Sequence, residues 1–425
     1  MRWFGPNDPV TLDEIRQTGC KGIVTALHDI PVGDIWSKKA IMERKKEIEK
    51  NALRWLVVES VPVHESIKLR KKDNKASVDE CNQLIENYAT SLKNLSECGV
   101  HYVAFHFMPL LDWTRTQLEY KCEDNTYALA FDYIDLCVFE QFILQFDEKE
   151  LLKRYSKEEI SAAKQRFEHE MTPKQVEQLK NAIISGMPGC VNSKYDSSVD
   201  MFKKQLSLYV DVSKQQLRDN LLYFLGQIVP VCEKYHVNLA LHPDDPPFDI
   251  LGIPRIVSTA QDLDFILSLF YSVKSKRNGI TLCVGSYASR EDNNVVEITR
   301  KFKDRVNFVH LRNVAKHPSQ RRTFVESNHL SGDVDMFEVM NILLHEMKHR
   351  AESKTDDRLD VCLRPDHGHI MLHDFYMKNV LKVAINPGYT LYGRFKGLCE
   401  LRGLQMALQR VLKFKTHQDI MQCKL

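Results

Sequence analysis

The chain lacks an excess of charge of either sign. Its 59 lysines and arginines face 57 aspartates and glutamates, for a formal net charge of +2. A dedicated nucleic-acid or anionic-membrane surface needs a clustered basic excess, so neither partner class is expected. Local basic runs such as Lys68-Leu-Arg-Lys-Lys72 have acids close by and read as solvated loops. Long apolar runs are missing too. No stretch reaches the roughly 18 residues of a membrane span, and Met1-Arg-Trp-Phe-Gly-Pro6 lacks a signal peptide's apolar segment. The eleven cysteines are an odd number, scattered without CxxC pairs, which points to reduced thiols in a cytoplasmic protein. Neither GxGxxG nor GxxxxGK[ST] follows a strand-like run, so no nucleotide-phosphate cradle is expected.

What is present is a βα rhythm. The 43 % apolar content can bury a full core. The length of 425 residues exceeds the usual range of about 100–200 per domain, but (β/α) barrels run large as single domains. Strand-like runs occur at Arg2–Phe4, Gly22–Leu27, Arg54–Ser60, Tyr102–Phe107, Asn238–His242, Gly279–Val284, Val306–Leu311 and Asp360–Leu363. Helical patterns lie between them: a capped start at Asp8 ending near Gly19, then Ile41–Leu53, Asn82–Cys98, Gln215–Tyr235, and about 261–272, 292–303 and 334–350. A last helix runs from roughly Gly393 to Phe414. Eight short apolar strands, each followed by a helix, predict an α/β fold, a (β/α)8 TIM barrel spanning residues 1–425. The rhythm breaks once. Residues from about 110 to 211 are polar and mainly helix-patterned, too long for a βα loop, and read as a helical insertion after the fourth strand.

In such a barrel the chemistry sits at the carboxyl ends of the strands. The last four strands end in His242, Cys283, His310 and Asp366, four potential metal ligands from four consecutive strands. Asp366 belongs to Asp360-Val-Cys-Leu-Arg-Pro-Asp-His-Gly-His369, where proline stops a strand and a carboxylate, two imidazoles and a guanidinium follow. Any one of these residues alone reads as structural; their convergence is what predicts a metal. A His₂/Cys/Asp set suits Fe²⁺, Mn²⁺, Co²⁺ or Zn²⁺, and its thiolate argues against Mg²⁺ and Ca²⁺. A second motif, His345-Glu-Met-Lys-His349, matches HExxH. Its polar surroundings and the missing third ligand assign it to an exposed outer helix.

The residues then resemble one family almost end to end. Arg2-Trp-Phe-Gly-Pro-Asn-Asp8, Val57-Val-Glu-Ser-Val-Pro-Val-His64, Phe107-Met-Pro-Leu-Leu-Asp-Trp-Thr-Arg115 and His242-Pro-Asp-Asp-Pro-Pro247 carry the first half. Gly252-Ile-Pro-Arg-Ile-Val257, Cys283-Val-Gly-Ser-Tyr287, His310-Leu-Arg312, His329-Leu-Ser-Gly-Asp-Val-Asp335, Arg364-Pro-Asp-His-Gly-His369 and Asn386-Pro-Gly-Tyr389 carry the rest. On these the chain resembles the mannonate dehydratases, which convert D-mannonate to 2-dehydro-3-deoxy-D-gluconate in hexuronate (glucuronate) catabolism. The resemblance implies a xylose-isomerase-like barrel, Fe²⁺ or Mn²⁺ on His242, Cys283, His310 and Asp366, proton transfer by His367 and Tyr389, and a substrate-carboxylate contact from Arg312. Between His369 and Asn386 the apolar piece Val380-Leu-Lys-Val-Ala-Ile385 makes the chain longer and less polar than the resemblance implies.

Dehydration removes the proton α to a carboxylate and expels a β-hydroxide, so one of His367 and Tyr389 is expected to act as base and the other as acid. His28, Glu59, His64 and His106 lie near strand ends and are candidates for binding substrate hydroxyls or for packing. Two other readings stand beside this one: a metal-dependent sugar isomerase or epimerase, which would expel no water, and a catalytically silent scaffold binding partners through the insertion. The expected partner is a small-molecule substrate, with homo-oligomerisation left open.

Overall fold

The barrel strands are organised by a period of two. The computed structural model describes residues 1–187, 198–268, 275–353, 356, 358 and 361–412. Eleven strands occur in it: β1 (Gly22–Thr25), β2 (Arg54–Glu59), β3 (Tyr102–Phe105), β4 (Gln117–Lys121), β5 (Tyr127–Phe131), β6 (Asn238–Leu241), β7 (Asn278–Cys283), β8 (Val306–His310), β9 (Asn313–Lys316), β10 (Phe324–Ser327) and β11 (Cys362–Arg364). Seven form one parallel sheet in the order β1-β2-β3-β6-β7-β8-β11. Its later strands β6, β7 and β8 are buried along their whole length, as a sheet covered on both faces must be. Val24, Val57, Ala104, Ala240 and Phe308, one residue from each of five strands, form an apolar cluster of their own. This is a layer of the barrel interior; the large second cluster packs the outer face against the helices.

Side chains two apart on a strand share a face. Stepping two residues on from the inner layer gives Glu59, His106, His242 and His310, and from Cys362 it gives Arg364. The polar residues at the barrel mouth are therefore stacked directly above its apolar filling.

The first expected strand, Arg2–Phe4, differs from expectation. Arg2–Phe4 forms no ladder; Arg2 makes one parallel bridge to Val24, with Trp3 N donating to Val24 O and Val24 N to Met1 O, each at 2.9 Å. The segment is short because Gly5, at φ +97°, turns the chain away and the Asp8 carboxylate takes the Phe4 and Val10 amides. Arg394 Nη1, from the last helix, donates to Arg2 O at 2.6 Å and ties this edge down. The architecture is a (β/α)8 barrel whose eighth position is filled by the first residues of the chain.

Helices Lys38–Lys50, Lys75–Glu97, Lys214–Lys234, Val295–Phe302 and Met336–Glu352 follow strands as the patterns predict. Those at Ala260–Ser268 and Leu391–Val411 end where the described residues do or one residue short of it, so the rest of both predicted spans lies outside them, as does Asp360. The segment at 110–211 is helical over Lys157–Gln165, Pro173–Ile184 and Val199–Ser207, but it opens with the hairpin β4–β5. The sequence Tyr127-Ala-Leu-Ala-Phe131 carries the strand-type alternation, and Asn125 at φ +63° makes the turn. That hairpin joins β10 and β9 in a separate antiparallel sheet, ordered β4-β5-β10-β9.

Candidate active site

His242, Cys283 and His310 close the carboxyl ends of β6, β7 and β8, and one ligand atom from each lies within 4.8 Å of the other two. All three are buried. His242 Nδ1 is 2.6 Å from Pro243 O, an atom that only accepts, so Nδ1 carries the ring proton. His242 Nε2 then presents a lone pair to His310 Nδ1 at 3.3 Å. On the far side of its ring, His310 Nε2 lies 3.2 Å from Glu59 Oε1, an ion-pair approach that is not aligned as a hydrogen bond but favours the proton there. Two inward lone pairs so close need a proton or a cation between them. Committing the outer nitrogen to an oxygen is how metal-ligating imidazoles are oriented. Ser286 Oγ donates to Cys283 Sγ at 3.0 Å, and Arg312 Nη1 stands 3.9 Å from it. Asp366 Oδ2 is 3.6 Å from His310 Nδ1. The donor set fits a divalent transition metal.

Asp366 and Glu59 are clamped by cations. Arg364 Nη1 donates to Asp366 Oδ1 at 2.6 Å and its Nη2 to Glu59 Oε2 at 2.9 Å, while Arg2 Nη1 sits 3.0 Å from the same Glu59 oxygen. Burial pushes both carboxyls up, but Arg364, with His367 and His310 for Asp366 and with His310 and Arg2 for Glu59, holds both well below the usual carboxylate range. Tyr389 reaches in from the loop after the apolar piece Val380–Ile385 and donates to Asp366 Oδ1 at 3.1 Å. Its phenol is pushed up by burial and by Asp366. The rings of His367 and Tyr389 meet edge to face, centroids 5.1 Å apart.

A buried network of two guanidinium groups and two carboxylates lies alongside. Arg115 donates to both oxygens of Asp245 at 2.9 and 3.0 Å and to Glu326 Oε1 at 2.9 Å. Arg312 donates through Nε to Glu326 Oε2 at 2.7 Å and through Nη1 to Asp245 Oδ2 at 2.8 Å and Ser286 Oγ at 3.0 Å. Its Nη2, buried, has no partner among the described residues, so one N–H arm of this guanidinium is left for a ligand. His367 Nδ1 contacts Glu326 Oε1 at 3.1 Å. A carboxylate accepts, so Nδ1 carries a proton, and the ring's other nitrogen, Nε2, lies 4.0 Å from Asp366 Oδ1. Gly368 lets this loop lie against the last helix, because a Cβ there would run into the backbone of Gly393 and Arg394.

The other candidates are scattered. His64 caps the short helix Glu65–Lys68, its Nδ1 accepting from Ser66 N at 3.1 Å. The His106 ring lies against His242, centroids 4.8 Å apart, with both nitrogens buried and unpartnered among the described residues. His28 stands beside Phe4, centroids 5.9 Å apart. His345 and His349 are exposed on the helix Met336–Glu352, and Glu346 turns inward to accept from Arg350 Nε at 2.8 Å, so the HExxH residues build no site. Sequence reasoning assigned nothing to Glu326, Arg115 or Asp245. The last two lie inside motifs already singled out; Glu326 had only the short alternating run Phe324-Val-Glu-Ser327 to mark it.

The fold and this mouth define a barrel enzyme whose residues could hold a metal ion. Residues 1–415 match the family D-mannonate dehydratase (UxuA). A mannonate dehydratase of Marinomonas sp. (strain MWYL1) is 44% identical over 411 residues, 97% of this chain and 99% of that protein. One from Chromohalobacter salexigens is 42% identical over 410 residues, 96% and 98% of the two chains. Among solved structures, mannonate dehydratase from Streptococcus suis serotype 2 superposes with a TM-score of 0.72 at 33% identity, covering 97% of this chain and 95% of that one. The chain belongs to the D-mannonate dehydratase family.

Proposed function

We propose that this chain is a hydro-lyase that removes water from D-mannonate to give 2-dehydro-3-deoxy-D-gluconate, in hexuronate (glucuronate) catabolism. The observation that carries the reading is the convergence of His242, Cys283, His310 and Asp366 at the mouth of a barrel whose sequence matches the family over residues 1–415. In this reading those four residues hold Fe²⁺ or Mn²⁺. When bound, the ion supplies Lewis-acid stabilisation of the charge that develops as the proton α to the substrate carboxylate is lost.

The protein's own groups handle the protons. His367, with Nδ1 held by Glu326, offers Nε2 as the base for the C2 proton. Tyr389 is a proton donor in its bond to Asp366, and gives that proton to the departing C3 hydroxyl, which leaves as water. The resulting enol tautomerises to the 2-keto acid. The free Nη2 of Arg312 is available to one oxygen of the substrate carboxylate. We also read the enzyme as cytoplasmic, because no disulfide joins the nine cysteines among the described residues. No helix among the described residues is long and apolar enough to cross a membrane.

The test is a keto-acid assay on D-mannonate with added Fe²⁺ or Mn²⁺, with and without chelator. A 2-keto-3-deoxy product that disappears with chelation is expected. An epimer of mannonate as product would put the isomerase reading in its place, and metal-independent turnover would remove the metal from the reaction.

A further inference from the structure

A second group of donors lies outside the barrel mouth. Cys122 and Asp124 sit in the turn of the β4–β5 hairpin, and His369 follows β11; one ligand atom from each lies within 4.8 Å of the other two. The turn is built by its own bonds: Cys122 N donates to Thr126 O at 2.9 Å, Asn125 N to Cys122 O at 3.0 Å, and Asp124 Oδ1 accepts from Thr126 N at 3.0 Å. The hairpin is docked on the loop after Asp366 by a two-way backbone bridge, Tyr127 N to Ile370 O at 3.1 Å and Ile370 N to Tyr127 O at 2.8 Å.

The proton count of this group is short. His369 Nε2 is 3.0 Å from Glu326 O, a carbonyl that only accepts, so Nε2 carries the proton and Nδ1 a lone pair. That lone pair faces Thr126 Oγ1 at 2.9 Å, and Asp124 Oδ1 faces the same hydroxyl at 2.6 Å. Thr126 has one hydroxyl proton for the two acceptors, and the Cys122 thiol directs its own proton to Tyr120 O at 3.9 Å, although its sulfur lies within 4.8 Å of the Asp124 and His369 ligand atoms. His242 meets the same condition in the barrel: a ring whose outer nitrogen is committed to a carbonyl and whose inner lone pair has too few protons to meet.

We propose that Cys122, Asp124 and His369 form a second site for a soft divalent cation of the Zn²⁺ class, clamping the β4–β5 hairpin to the loop that carries Asp366 and His367. Three protein ligands and a water complete a tetrahedron, and the thiolate selects against Mg²⁺ and Ca²⁺. Zinc bonds of about 2.0–2.3 Å place neighbouring donors roughly 3.5 Å apart, so Cys122 and exposed Asp124 draw in toward rigid, buried His369. Cys122 loses its proton to solvent on binding, and the Thr126 hydroxyl is released from His369.

The full-length chain dialysed against Co²⁺ tests this by metal analysis and by the thiolate-to-Co²⁺ charge-transfer absorption. Wild type is expected to bind two equivalents, Cys122→Ser and Asp124→Asn one, and Cys283→Ser one with a thiolate band surviving from Cys122. Zn²⁺ should also slow alkylation of Cys122 by roughly tenfold, read by peptide mass spectrometry. Equal stoichiometry in wild type, Cys122→Ser and Asp124→Asn overturns the second site. A barrel-mouth site that binds nothing shows instead as no change in Cys283→Ser, so the two assignments fail separately.

Discussion

Glu326 accepts the Nδ1 proton of His367 at 3.1 Å from β10, a strand that belongs to the antiparallel sheet and not to the barrel. Arg115 and Arg312 hold the same carboxylate in place, so the orientation of one imidazole depends on a rigid ionic frame. Burial pushes Glu326 up, but Arg312, His367 and Arg115 keep it far below the usual range and therefore ionised.

Glu326→Gln is expected to lower kcat by roughly 10²–10⁴-fold with little change in KM, because the ring loses the partner that fixes its tautomer. Metal content should stay at the wild-type level. The variant should also lose stability, on the order of 3–5 kcal/mol, because Arg115 and Arg312 keep their charges and lose a counter-charge. Steady-state kinetics with urea unfolding check both; a kcat within twofold of wild type would remove Glu326 from the proton path.

Asp366→Asn should cost metal and activity together. Its Oδ2 faces His310, and its Oδ1 is held by Arg364 and Tyr389, so the amide keeps the shape but not the charge. Metal analysis should show at least roughly a 10–100-fold loss of affinity, with an unchanged circular dichroism spectrum. Stoichiometric metal and normal turnover in this variant would exclude the ligand role.

His367→Asn and Tyr389→Phe should separate chemistry from metal binding. Each is expected to retain the ion and lose dehydration by roughly 10²–10⁴-fold. If His367 is the base, exchange of the C2 proton with deuterated solvent stops in His367→Asn but survives in Tyr389→Phe. The reverse pattern would exchange the two roles.

Acid should destabilise the fold well before its carboxylates protonate. Burial is the main cause that holds His28 at about 3 and His329 at about 4, against roughly 6.5 in the unfolded chain. Below about pH 6.5 the unfolded chain binds protons that the folded one refuses. Stability is complete above that value and falls by roughly 1.4 kcal/mol per pH unit for each histidine as pH drops. Asp245, drawn down to about 2 because Arg115 and Arg312 outweigh its burial, adds a loss that begins below about pH 4. Urea midpoints at pH 8, 6.5 and 5 test this, and a flat profile from 7 to 5 would contradict it.

The barrel was legible because each strand is a short apolar run and the period of two carries that run into a polar residue at its mouth: Ala240 into His242, Phe308 into His310. The strand Arg2–Phe4 was overread, since Gly5 in the left-handed region turns the chain away after a single bridge from Arg2 to Val24. The ionic frame was not legible. Arg115 meets Asp245 across 130 positions and Glu326 across 211, and nothing local marks such pairs. The hairpin β4–β5 was hidden within a segment whose helical windows dominate, although Asp124-Asn125 signals a turn.

The antiparallel sheet divides responsibility within one catalytic mouth. In the proposed mechanism the residues at the barrel-strand ends decide whether an ion is held, and the sheet supplies the carboxylate that aims the base. Ion affinity and turnover can therefore drift apart under mutation: a lengthened turn or a substitution in β4, β5 or β10 can retune the rate while the ion site stays as it was. Variants selected for speed should accumulate outside the barrel, and those selected for a different ion inside it.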